Sequence, residues 1–217
     1  MKNLLIKDLR LFVSPLTWLF LAATLLALVP GYPILLSAFF FGLGMFQTFQ
    51  NAREMNDVLY TALLPVKKGD VVVSRYVLVC FFQMLAFVLS AALTAVRMTA
   101  LSDVEVYARN TLMNASPVFL GFVLLIFAAF NVLFVGGYFR SAYKLGIPFL
   151  TFCIAAFVLV AAGEALHFLP GMAYLNVPGG ECLGGQFVFL LACAAAHALA
   201  TLLSCRASKR RFARMDL

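Results

Sequence analysis

YVLVCFFQMLAFVLSAALTAV, residues 76 to 96, runs without a single charged side chain. An α-helix needs about 20 apolar residues to cross the hydrocarbon layer of a bilayer, so this stretch reads as one membrane span. The rest of the chain extends that reading: of 217 residues, 64% are hydrophobic and only 12% charged, and the mean hydropathy is +1.01. A soluble domain with a polar shell does not show such values. A membrane barrel is disfavoured in turn, because its strands need a polar residue at every second position, whereas the 23 Phe sit among Leu and Ala with little alternation. The expected fold class is all-α, a polytopic integral membrane protein.

Working outward, further spans are expected at about 13–29, 33–50, 116–135, 145–166 and 186–205, which with 76–96 makes six transmembrane helices. One helix from 13 to 50 would be about 57 Å long, too long for a bilayer, and Pro30-Gly31-Tyr32-Pro33 supplies a tight turn at its midpoint. The first two spans are therefore expected to form a hairpin, with Pro15 in the first turn of the first. Before them, MKNLLIKDLRLF (1–12) gathers Asn3, Lys7 and Arg10 on one side of a helical wheel against Leu4, Leu5, Leu9, Leu11 and Phe12. It reads as an N-terminal interfacial amphipathic helix with its basic residues facing water. A cleaved signal peptide fits less well, since no small-x-small site precedes Pro30.

The distribution of Lys and Arg sets the orientation, because inner loops retain positive charge. Lys2, Lys7 and Arg10, then Arg53, Lys67, Lys68 and Arg75, then Arg140 and Lys144, and finally the basic tail 206–217 fall on one side, against Arg97 and Arg109 on the other. Both termini are expected in the cytoplasm, and the charge of +7 marks topology rather than a nucleic-acid surface. Of the outer segments, 97–115 is polar and reads as a solvated loop, while 164–185 is apolar enough to dip back into the outer leaflet.

NDVLYTALLPVKKGDVVVSRY (56–76) lies at the junction of the second and third spans. The 51–75 loop holds Arg53, Glu54, Asp57, Lys67, Lys68, Asp70 and Arg75, and burying five such charges at a helix centre would cost well over ~10 kcal/mol. It must lie in the cytoplasm, and it is longer than a turn requires. Helix is expected to leave the second span as far as Leu63, to stop at Leu64-Pro65, and to restart at Lys68-Gly69-Asp70, with Asp70 near the positive N-terminal end. A short segment along the membrane surface would then present Val66, Val71 and Val72 beside Lys67, Lys68 and Asp70, an apolar knob with a charged rim suited to a groove on a soluble partner. The plain alternative is a charged loop that merely anchors two helix ends.

The order Glu54, Asn56, Asp57, then Leu64-Pro65-Val66, Lys67-Lys68, Asp70, the aliphatic run 71–73 and Ser74-Arg75-Tyr76 resembles the signature of type-2 ABC transporter permeases. It is most similar to the compact six-helix subfamily that includes bacterial peptide exporters of the phenol-soluble-modulin kind. The resemblance covers the architecture of the whole chain but the motif of only this loop. It implies a non-catalytic permease subunit of an exporter in the bacterial inner membrane, working with a second permease copy or paralogue. A separate ABC ATPase subunit would bind ATP and Mg and dock on a coupling helix in this loop. Carried over residue by residue, the implied ATPase-coupling positions are Glu54, Asp57, Leu64, Pro65, Val66, Lys67, Lys68, Asp70 and Val71. The residues agree that ATP is hydrolysed elsewhere, since no Gly is followed by Lys and a phosphate-cradling loop is therefore absent.

Polar residues within spans are costly and usually face a bundle interior, which makes Gln47, Gln83, Asn131 and His197 candidates. Gln47, Gln83 and His197 are the expected lining of a translocation path, with interhelical bonding as the plainer reading. Phe39-Phe40-Phe41 and Phe81-Phe82 would give that path an apolar wall, favouring a peptide, amphipathic or lipidic cargo. Glu164 and His167 share a helix face but lack a third ligand, so no metal site is expected. The five Cys suit small apolar roles rather than a disulfide framework, and the Gly pairs at 136–137, 179–180 and 184–185 mark span ends and loops. A self-contained secondary transporter or channel is the rival function, yet it would call for charges or broken helices at mid-membrane. A membrane enzyme would call for a convergent acid, base and nucleophile that this chain does not offer.

Overall fold

The computed structural model describes residues 6–9, 13–55, 57, 66–101, 104–108, 112–141, 144–166, 168–169, 172, 175 and 182–214, and no strand occurs among them. Helix α1, Pro15–Ala22, starts where Ser14 accepts from the Leu16 N–H at 3.3 Å and Pro15 fills the first turn, and it tightens into a 3-10 stretch, Ala23–Leu28. Gly31, at φ 70°, then turns the chain in a conformation open to glycine, and α2, Leu36–Glu54, runs back beside α1. The two helices are in backbone contact at Gly44, where a Cβ would lie 2.5 Å from the Cβ of Phe20. Thr17 donates to the Gly44 carbonyl at 3.2 Å and shares a hydrogen bond with Thr48, which ties the hairpin from within.

Helix α3, Lys68–Thr99, is unbroken for 32 residues, about 48 Å at 1.5 Å per residue, so it projects well beyond a hydrocarbon layer of roughly 30 Å. Where the sequence suggested a surface segment re-entering as a span near 76, the structure has one straight element that starts at Lys68, with Asp70 in its first turn. A single turn, Glu105–Ala108, precedes α4, Pro117–Arg140, whose N-terminus is capped by Ser116. Within α4 the backbone widens to a π-helix over Phe130–Val135. Helices α5, Gly146–Ala165, and α6, Leu183–Ala213, complete the bundle.

Among the described residues four helices, α3 to α6, are long and apolar enough to cross a membrane. The first hairpin is helical as expected, but α1 with its 3-10 extension is short and the second half of α2 carries Gln47, Gln50, Asn51, Arg53 and Glu54. The central element is α4, which packs on α6, α5, α3 and α2 and is buried along most of its length. Around it the Phe side chains interlock: Phe41 on Phe127 at 5.1 Å, Phe130 edge-on to Phe152 at 5.1 Å and Phe49 edge-on to Phe134 at 5.0 Å. Phe41 and Phe82, expected on a cavity wall, are core residues instead, whereas Phe81 points outward. Exposed Ile154, Phe157 and Val158 on α5 and Phe187, Val188 and Leu191 on α6 give the bundle the apolar exterior that a bilayer requires.

At the end of the bundle away from Lys68, the expected solvated loop after the third span changes. Arg97 does not lie in a solvated loop: it is buried in the last turn of α3, donates to the Ala27 carbonyl at 2.7 Å and sits 4.6 Å from the centre of the Tyr107 ring. Tyr107 in turn donates to the Leu28 carbonyl at 2.7 Å, so carbonyls left over at the end of the 3-10 stretch recruit both residues. Glu164 accepts the Met113 N–H at 2.7 Å, a positioning contact for the α4 entry. His167 and half of the 164–185 segment lie outside the described residues.

Candidate functional site

The end of the bundle that carries the N-terminal segment also carries a buried group of four charges. Lys7 donates to Asp57 at 2.8 Å and lies 3.3 Å from Asp8; Arg75 pairs with Asp8 at 3.2 Å and donates to Asp57. Ser74 donates to the second oxygen of Asp8 at 2.6 Å. The side chains of Asp8, Arg75 and Asp57 are only 2%, 5% and 9% exposed, so the group is shielded from water, and among the described residues its two cations and two anions balance. Such an arrangement holds only when every member is present, because a lone buried charge is far more costly than the neutral set.

Three separated pieces of chain meet here. Helical residues 6–9 supply Lys7 and Asp8, the stretch after α2 supplies Asp57, and the first turns of α3 supply Ser74 and Arg75. Lys7, expected to face water, is instead turned toward the two carboxylates that neutralise it. Asp8, unremarked in the amphipathic pattern, is the residue that gives the N-terminal segment its hold on α3.

A polar seam continues from this group into the membrane along α3. Tyr76 shares hydrogen bonds with Ser204 at 2.7 Å and Ser208 at 3.1 Å and donates to the Asn131 carbonyl at 3.3 Å; Ser204 reaches the same carbonyl at 3.0 Å. Asn131 lies in the π-helical stretch, and its carbonyl, which accepts the Gly136 N–H five residues on, also accepts from hydroxyls of α3 and α6. Gly136 completes the fit, since a Cβ there would stand 2.7 Å from the Ser204 hydroxyl; this Gly of the 136–137 pair permits close packing inside a helix rather than a loop. Seven residues beyond Tyr76 on the same face, Gln83 and Asn131 exchange amide hydrogen bonds at 3.0 and 2.9 Å, Gln83 also reaches the Phe127 carbonyl, and Asn131 reaches Thr201 at 2.9 Å.

The expected site residues are placed as follows. Glu54 ends α2 and is exposed, as are Val66 and Lys67; Lys68, Asp70 and Val71 are half-buried at the start of α3, and Asp57 is buried in the charge group. Val72 is fully buried and Val71 packs against the core, so of the expected apolar knob only Val66 is displayed. Leu64 and Pro65 lie outside the described residues. Of the expected path residues, Gln83 is consumed by its pairing with Asn131; His197 lies one turn before Thr201, half-buried, and Gln47 is half-buried on α2 apart from the seam. The seam therefore binds helices together. Asn131→Leu is expected to cost about 1–2 kcal/mol by stranding Gln83, and adding Gln83→Leu to recover part of that loss; a double-mutant cycle on unfolding in detergent reads the coupling directly.

A family model described as ABC-2 family transporter protein matches residues 3–205, which include the charge group, the seam apart from Ser208, and all of α1 to α5. No curated protein and no solved structure matches the chain.

Proposed function

The chain belongs to the ABC-2 family of transporter proteins, and from that membership we propose that it is the permease subunit of an ABC exporter whose ATP is hydrolysed by a separate subunit. The observation that carries the reading is the buried charge group. It fastens the connection between α2 and α3 to the base of a helix about 48 Å long, so a displacement applied at that connection is passed to α3 as to a lever. Exposed Glu54, Val66 and Lys67, together with Lys68, Asp70 and Val71, flank it and are the proposed contact with the ATPase, with Leu64 and Pro65 between them in sequence.

In this proposal all six apolar segments cross the bacterial cytoplasmic membrane, both termini face the cytoplasm, and two permease copies or paralogues enclose the path. Closure of the paired ATPases, with their ATP and Mg, brings the two docking elements together and rocks the bundles, a hinge or shear transition. The proposed cargo is a peptide, amphipathic or lipidic substrate rather than an ion, in keeping with half-buried Phe39 and exposed Phe81, the part of the expected apolar wall that is not packed into the core.

The test uses the full chain co-expressed with its candidate ATPase. Glu54→Ala, Lys67→Ala and Asp70→Ala combined are expected to lower co-purification about tenfold, equivalent to about 1.4 kcal/mol of binding, and to abolish cargo-stimulated hydrolysis while the permease still folds. An intact complex with undiminished stimulation would remove the docking assignment.

A further inference from the structure

A second feature of the charged end borders the seam, sharing Gly136, Ser204 and Ser208 with it, but takes no part in the docking element. Between α4, α5 and α6 opens a cavity of about 800 Å³, the size of an ordinary small-molecule site. Arg140, Lys144 and Arg211 stand around it, while Val132, Ile147 and Leu203 line it too. Among the described residues no carboxylate pairs with any of the three cations. Ile147 and Leu203 are 73% and 53% exposed on the outer surface of the bundle, so the apolar part of the cavity is continuous with the face that meets lipid. Gly137 and Pro148 close one wall of the groove: they lie so near that a Cβ on Gly137 would come within 2.8 Å of Pro148, which fixes the spacing of α4 and α5 there.

We propose that this groove holds an acidic phospholipid, its phosphate headgroup among Arg140, Lys144 and Arg211 and its acyl chains along Val132 and Leu203. Charge complementarity selects the occupant. Three cations without a counter-charge among the described residues favour a headgroup of net negative charge over a zwitterionic one, which brings its own cation into the same place. The apolar half selects a lipid over a free anion, because a soluble phosphate leaves that surface uncovered. Basic residues at the C-terminal ends of α4 and α6 also oppose the helix dipoles, and that role alone would give no preference between lipids.

The full chain in an uncharged detergent is titrated with phosphatidylglycerol or with phosphatidylcholine, and bound lipid is counted by native mass spectrometry. The wild type is expected to bind phosphatidylglycerol at least tenfold more tightly. Each cation is worth about fivefold, so the triple variant R140Q/K144Q/R211Q is expected to lose that preference. The variant R206Q/R210Q/R214Q, which removes as many charges from exposed positions of the tail outside the groove, is expected to keep it within about twofold. Ala207→Phe leaves every charge in place but fills the groove, and is expected to weaken phosphatidylglycerol binding by a similar factor, which separates occupancy from misfolding.

Equal binding of the two lipids by the wild type would overturn the proposal, as would equal loss in the tail variant. Displacement of the lipid by millimolar inorganic phosphate would reduce the groove to a simple anion site and overturn it too. A change of dimer fraction in R140Q/K144Q/R211Q with lipid preference intact would assign the groove to a second copy instead. None of these readouts involves the ATPase, so failure here and failure of the docking assignment are distinguishable.

Discussion

Arg75→Ala is expected to destabilise the protein by about 3–5 kcal/mol, the largest loss available from a single residue at the charged end. The change leaves Asp8 and Asp57, both nearly sealed from water, with Lys7 as their remaining cation in the group. Two carboxylates cannot share one ammonium in a dry site without one of them taking up a proton or forcing the N-terminal segment away. Arg75→Lys is expected to recover only part of the loss, since a compact ammonium cannot reach both carboxylates as the forked guanidinium does. Lys67→Ala, eight residues earlier and exposed, should stay within about 0.5 kcal/mol. Replacing the whole group by K7M/D8L/D57L/R75M is expected to restore much of the stability while uncoupling transport, because apolar contacts can substitute for the pairing but not for its directional hold. Thermal unfolding in detergent ranks these variants, and a stable Arg75→Ala protein would show that the charges are hydrated after all.

Gly44→Val is expected to have the second-largest effect, about 3 kcal/mol or more. A Cβ at this position meets the Cβ of Phe20 at 2.5 Å, an atom fixed to the α1 backbone that cannot rotate aside. The helices must separate, which also breaks the Thr17 bond to the Gly44 carbonyl and its partnership with Thr48. Gly146→Ala provides the contrast: nothing lies within 4 Å of its Cβ position, and at the start of α5 it should be neutral or stabilising by up to about 1 kcal/mol. Limited proteolysis of the first hairpin, measured beside the melting temperature, separates a local opening from global unfolding. Equal behaviour of the two Gly variants would contradict the close approach of α1 and α2.

The helical class and the turn at Gly31 were legible because they rest on runs of apolar residues and on backbone chemistry that neighbours in sequence decide. The start of α3 at Lys68 was legible for the same reason: Gly69 and Asp70 follow the Leu-Pro break with a clear N-terminal signal. What stayed hidden depends on partners far away in the chain. Nothing local in MKNLLIKDLRLF distinguishes Lys7 facing water from Lys7 facing Asp57, and Asp8 reads as one more surface acid until Arg75 and Ser74 are brought against it. Arg97 misled in the same way, because it followed a span and resembled an exposed boundary residue, yet the carbonyls of Ala27 and Leu28 created a buried place for it and Tyr107. Of the polar residues within spans Gln83 and Asn131 are buried, but they satisfy one another almost completely, and a pattern of single residues cannot show that a pair has closed. The apolar knob failed because a three-residue valine run was read as surface segment, when the helix that contains it turns Val72 into the core.

The charge group also orders events in time. A ribosome releases Lys7 and Asp8 early, and Ser74, which holds Asp8, follows 66 positions later. Over that interval Asp8 lacks the α3 partners that hold it, although Asp57, made before them, already offers its carboxylate to Lys7. Only the arrival of α3 fastens Asp8 in place, so this end of the bundle is secured by a residue made 66 positions after the one it holds.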